Sequence, residues 1–138
     1  MSHHTHTFEV STNGPGMHEL TGQIADWLEA IGVATGLMTV FCRHTSASLM
    51  INENAAAAVR RDMVKWLDRM APENAYHEHD SEGPDDMPAH LKAALTGVSL
   101  SIPVCGSRMM LGTWQGVFLV EHRASPHIRQ VALHLSGE

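Results

Sequence analysis

Apolar residues recur along this chain in two rhythms, one with the period of a helix and one with that of a strand. Leu20, Ile24, Trp27, Leu28 and Ile31 fall at i, i+4, i+7, i+8 and i+11. That is one face of an amphipathic helix, and Gly32 supplies its stop. Val59, Met63, Trp66, Leu67 and Met70 repeat the spacing inside a second helix, between Asn54 and Met70, that Pro72 limits. Asn52 or Asn54 is the expected N-cap, with Glu53 close to the positive end of the helix dipole. Pro88 suits the first turn of a short third helix running through Leu91 and Leu95 to Gly97.

Elsewhere the period is two. Val98, Leu100, Ile102 and Val104 alternate with Ser99, Ser101 and Pro103, a half-buried strand that the proline puts at an edge or at its end. Further strands are expected around Phe8 and Val10 and over 36–42, 48–51, 109–113, 117–121 and 128–135. About seven strands and three helices without regular β–α alternation predict an α+β fold. No repeat or linker divides the 138 residues, so 1–138 reads as a single domain, with residues 1–6 a flexible His-rich N-terminus.

Composition narrows the class. A hydrophobic fraction of 43% with 17% charged residues excludes a disordered chain. No apolar run approaches the ~20 residues needed to span a bilayer, and the first residues lack the pattern of a secretory signal. The expectation is a cytoplasmic protein without a membrane partner. Nine basic and fifteen acidic residues leave a net charge of −6, which argues against nucleic acid as a partner. Six of the acids (Glu73, Glu78, Asp80, Glu82, Asp85 and Asp86) fall in one stretch that has no Lys or Arg, and that stretch carries the whole imbalance. Cys42 and Cys105 match no metal-binding spacing; they read as reduced core residues, with a ligand or nucleophile role as the alternative.

Histidine is the other outlier, with eleven copies against eleven glycines. The stretch from His77 to His90 interleaves imidazoles with carboxylates and is stiffened by Gly83-Pro84 and Met87-Pro88. A solvated acidic loop would account for the charges alone; a structured one suits a divalent metal or acid/base work. Asp86 is placed to cap the third helix and, four residues before His90, to orient that imidazole. His44-Thr45-Ser46-Ala47-Ser48, with Ile51-Asn52-Glu53-Asn54, is either a turn or a rim that offers a base and amides. Glu53 is assigned to proton transfer. Gly112-Thr113-Trp114-Gln115-Gly116 suggests close backbone approach, with Trp114 either core or a stacking platform and Gln115 beside it as a ligand contact. His122-Arg123 reads equally as an anion site or a hairpin tip.

Together these segments resemble the YjbQ-like family, also called the secondary thiamine-phosphate synthase enzyme family, over roughly residues 6–138. The blocks that carry the resemblance are His44–Ser48, Ile51–Asn54, Glu82–His90, Gly112–Gly116, Glu121–Arg123 and the closing Gly137-Glu138. One departure is Ala55–Ala58, where the family often has two acids and a proline; alanine is the best helix former, so the helix itself should not suffer. The resemblance implies a mixed β-sandwich assembled as a homotrimer, and a thiamine-phosphate synthase-like transferase activity on small phosphorylated metabolites.

It also implies a metal at a histidine site. His44, His79 and His90 are expected to converge on a divalent metal, zinc first and magnesium if phosphates bind, with His122 in reserve. Glu53, Asp85, Asp86 and Arg123 are the candidate catalytic residues, and Trp114 and Gln115 the candidate cofactor-binding ones. The cation that transfer chemistry needs would come from the metal, Lys92, Arg108 or Arg123. The alternatives are a metal-assisted hydrolase and a non-catalytic trimer that binds a metal or metabolite.

Overall fold

A computed structural model describes residues 1–74 and 76–138. The elements run β1 (Ser2–Asn13), β2 (Gly16–Glu19), α1 (Thr21–Ile31), β3 (Thr35–Cys42), β4 (Ala47–Glu53), α2 (Ala57–Met70), α3 (Asp86–Thr96), β5 (Ser99–Cys105), β6 (Arg108–Met109), β7 (Gln115–Glu121) and β8 (Pro126–Gly137). Five strands make one sheet in the order β1-β8-β3-β5-β6, and three make the other in the order β2-β7-β4. The α+β class stands, but the sandwich is not mixed: every strand pairing is antiparallel. Among the described residues the strands number eight rather than seven, because β2 carries a single large apolar residue, Met17, and leaves no period to read.

The core lies between the sheets. Met38, Val40, Ile102, Val104, Val131, Leu133 and Leu135 line the larger sheet's inner face, Leu49, Val117 and Leu119 the smaller sheet's, and Leu20, which caps α1, with Ile24 and Leu28 of α1 completes it. Gly32 ends α1 in the left-handed region at φ 74, as the sequence predicts. The unbroken run Val117–Val120 is explained by position. β7 is the central strand of its sheet, with one face in the core and the other under α2 and α3, so alternation disappears.

Three local expectations change. Residues 1–6 are not a flexible tail: β1 pairs with β8 from Ser2↔Gly137 onward, and His6 stacks on Trp27 with ring centroids 5.9 Å apart. The backbone partners come from β8, 120 or more residues away, where no local pattern can announce them. Neither asparagine caps α2; Ala56 holds that position, and its N–H donates to the Glu53 carboxylate at 3.1 Å. Asp86 does not cap α3 either, since Asp85 occupies the N-cap and Asp86 begins the first turn. Of the cysteines, Cys42 is buried and Cys105 exposed, both free.

Candidate metal centre

The acidic stretch before α3 is held down by one arginine. Arg123, just beyond β7, donates through Nε to Asp85 Oδ2 (2.9 Å), through Nη1 to Asp86 Oδ1 (2.9 Å) and through Nη2 to the Glu82 carbonyl (3.0 Å). The Ala124 N–H adds a bond to Asp85 Oδ2 at 2.8 Å. These contacts tie down its second half, Glu82–Asp86, which is therefore not simply a solvated charge run. They also spend Asp85 and Arg123 on each other, and each shifts the other. The bond to Asp85 raises the arginine, while for Asp85 burial is outweighed by the Ala124 N–H and Arg123, holding its carboxyl below the usual range.

Asp86 is 2% exposed, and its second oxygen faces two histidines. Oδ2 lies 3.0 Å from His79 Nε2 and 3.2 Å from His90 Nε2. One donor atom from each of the three residues lies within 4.8 Å of the others. The sequence explains the geometry: Asp86 and His90 stand four apart on α3 and share a face, and the turns at Ser81-Glu82 and Pro84-Asp85 bring His79 back over it. His90 Nδ1 lies 2.8 Å from the Thr45 carbonyl. A carbonyl only accepts, so the proton sits on Nδ1 and the Nε2 lone pair is left for a metal. Burial alone would raise the Asp86 carboxyl, but the two imidazoles beside it and the Arg123 guanidinium outweigh it and hold it below its ordinary range. Two imidazoles and an ionised carboxylate, all in reach of one point, fit a divalent metal.

The other expected ligands lie elsewhere. His44 Nε2 accepts the backbone N–H of Gln130 at 2.7 Å, so its lone pair is spent. His122 is 4% exposed and sits 2.8 Å from Ser48 Oγ, to which the Thr96 hydroxyl donates. Among the described residues neither joins the His79–Asp86–His90 group. Asp86, expected only to support a ligand, is a member of the donor set instead. Glu53, Trp114 and Gln115 belong to the opposite end of the smaller sheet. Glu53 pairs with Gln115, whereas Arg123 leaves the end where Ala47 pairs with Glu121; that is about 20 Å away at ~3.3 Å per residue. Trp114 is 63% exposed, and Gln115 Oε1 closes its own turn by accepting the Gly112 N–H at 2.8 Å. Gly116 meets the expectation of close approach, since a Cβ there would stand 2.7 Å from Glu19 Oε2 and 2.9 Å from Asn54 Cβ. Of the candidate cations, Lys92 is bound to Asp68 and Arg108 lies on β6.

Sequence reading missed the groove beside the cluster, about 950 Å³, lined from β3, the β3–β4 turn and α3 with His90 at its edge. It also missed the ion pair of Arg129 with Glu121, both at most 3% exposed. Their strand positions alternate correctly with core residues, a signal that they point inward, but the residue types argue the reverse.

Residues 6–138 match the family described as UPF0047 protein YjbQ-like. The chain belongs to that family. It is similar to the UPF0047 protein sll1880 of Synechocystis, 47% identical over 98% of this chain and 92% of that protein. It is also similar to YjbQ of Salmonella typhimurium, 45% identical over 96% of each. Among solved structures, a hypothetical protein from Aeropyrum pernix superposes with a TM-score of 0.89 at 31% identity, covering 98% of this chain and 99% of that one. An uncharacterized YjbQ/UPF0047 protein from Clostridium acetobutylicum gives 0.88 at 32%, covering 95% and 99%. The YjbQ-like relatives thus share the two-sheet fold over nearly the whole length.

Proposed function

We propose that this YjbQ-like chain is an enzyme whose His79–Asp86–His90 group holds a catalytic divalent metal, zinc before magnesium, and acts on a small phosphorylated molecule. The observation that carries this is the convergence of the three donor atoms within 4.8 Å. Two imidazoles favour zinc, since magnesium prefers oxygen ligands and keeps its water. A structural zinc site is closed by four protein ligands, whereas three ligands with an open side are the catalytic arrangement. His79, with its side chain 49% exposed, leaves such a side open, which favours an enzyme over a closed metal-binding protein. Bound there, the metal would supply Lewis-acid polarisation of a phosphate or carbonyl oxygen.

The protein's own residues do the rest. Arg123 orients the Asp86 carboxylate, the Thr45 carbonyl fixes the His90 tautomer, and Glu82, 3.4 Å from His79 Nε2, is the further carboxylate beside the group for holding a proton. Transfer of the thiamine-phosphate synthase kind is the first reaction to assay, and metal-assisted hydrolysis of a phosphate ester the second.

The assembly proposed for this enzyme is a homotrimer. Its support is the outer face of the larger sheet, where β3, β5 and β8 present no Asp, Glu, Lys or Arg: Leu37, Thr39, Phe41, Ser101, Pro103, Ala132 and His134 all face outward. Leu37 and Phe41 are 49% and 43% exposed, an apolar, uncharged face that a second copy would cover.

The test is zinc titration of the metal-stripped protein and of His79→Ala, His90→Ala and His44→Ala. The first two should lose at least 100-fold in affinity, and His44→Ala should bind as the parent does. Equal binding by all four proteins overturns the assignment.

A further inference from the structure

The groove beside the metal centre has a composition at odds with the rest of the chain. In a protein of net charge −6, its lining contains Arg43, His44, His90 and Arg129 but no Asp or Glu. Arg129 is 3% exposed. Its Nε and Nη2 are taken by Glu121 and Ser46. Among the described residues Nη1 has no hydrogen-bond partner, and Arg129 is one of the side chains that line the groove. His44 adds a donor for the same reason that it is no metal ligand: with Nε2 accepting from Gln130, its proton is on Nδ1. Arg43 donates to Gln130 Oε1 through Nη1 at 2.9 Å, and among the described residues its other nitrogens have no partner. The far wall is apolar and small, made by Ala93, Ala94, Gly97, Val98 and Phe41.

We infer that this groove binds a phosphate monoester with a flat apolar body, its phosphate held by Arg129, His44 and Arg43 and its body laid along the end of α3 against Ala94, Gly97 and Val98. Three separate donors suit the three terminal oxygens of a phosphate better than the two of a carboxylate. The buried arginine is oriented in advance by Glu121 and Ser46, so binding orders little that is mobile. His90 links the two sites, with one ring edge at the metal centre and its helix forming the groove wall. The inference deepens the proposed function by naming the substrate class, and rests on it only for the reaction at the His90 end.

The experiment uses metal-stripped full-length protein, so that the two readings can fail separately. Phenyl phosphate, inorganic phosphate and benzoate are titrated by calorimetry, with light scattering in parallel. Phenyl phosphate should bind saturably and at least tenfold more tightly than either of the other two. Arg43→Gln, at the exposed rim, and Ala94→Leu, at an exposed helix position that fills the groove, should each weaken it at least tenfold while leaving zinc affinity unchanged. Retained phenyl phosphate binding in a protein that takes up no zinc supports the groove and sinks the metal. Absence of saturable binding, benzoate binding as tightly as phenyl phosphate, or full affinity in both variants overturns the inference. So does an Ala94→Leu variant that changes oligomeric state with phosphate binding intact, since the groove would then be a protein interface.

Discussion

His122 sits at the end of β7 with its imidazole against Ser48, and burial there, with the charge of Lys92, pushes its pKa down to about 4. An unfolded histidine titrates near 6.5. Between those values the unfolded chain takes up a proton that the native state refuses, so this stability is complete above about pH 6.5 and falls as the pH drops toward 4. The loss should be on the order of 3 kcal/mol. His122→Gln, which keeps a partner for Ser48, should flatten the dependence of urea midpoints over that window; an unchanged slope would show that His122 is not the group. Carboxylates held low, such as Glu121 and Asp86, lose their contribution only at lower pH, so the two effects separate.

The Arg129–Glu121 pair makes the second residue-scale prediction. Burial would raise the Glu121 carboxyl, but Arg129 and the Thr12 hydroxyl outweigh it and hold it ionised. Arg129→Met alone leaves that charge stranded and should cost about 3–5 kcal/mol, with much of the loss recovered in Arg129→Met/Glu121→Leu. Chemical denaturation of the two variants measures it.

Among the elements, β4 and β7 organise both ends of the molecule. Their near end, through Thr45 and Arg123, positions the His79–Asp86–His90 group, and their far end, at Glu53 and Gln115, is packed so closely that Gly116 has no room for a side chain. Gly116→Ala should therefore lower stability by about 1–3 kcal/mol through overpacking against Asn54 and Glu19. Zinc affinity should be unaffected, because the strain is at the other end of the sheet. Loss of zinc binding in a folded Gly116→Ala protein would mean that the two ends are coupled. Glu53 does its work within the same far-end packing, accepting the Ala56 N–H where the alanine-rich start of α2 offers no capping side chain.

At the scale of the whole molecule the proposed trimer rests on the uncharged face of β3, β5 and β8. Leu37→Lys/Thr39→Lys places like charges on that face, and light scattering should show a trimer becoming a monomer with the far-ultraviolet circular dichroism unchanged. A parent protein that is already monomeric at micromolar concentration removes the trimer.

Helices, most strands and the half-buried alternation of β5 were legible in the sequence because each is a periodic pattern over neighbouring residues. So was the grouping within residues 77–90, since Asp86 and His90, four apart, can share a helix face, and a turn can return His79, eleven residues before His90, to the same place. What local pattern could not carry was which histidines meet. His79 and His90 lie within one loop and helix and do converge on Asp86, whereas His44 and His122 are claimed by Gln130 and Ser48, partners 86 and 74 residues away in sequence. The inward turn of Arg129 and Glu121, the pairing of Ser2–Asn13 with β8 and the distance of Glu53 from the His79–Asp86–His90 group are likewise matters of strand register. Register is set by long-range backbone pairing and burial, and only the folded chain contains it.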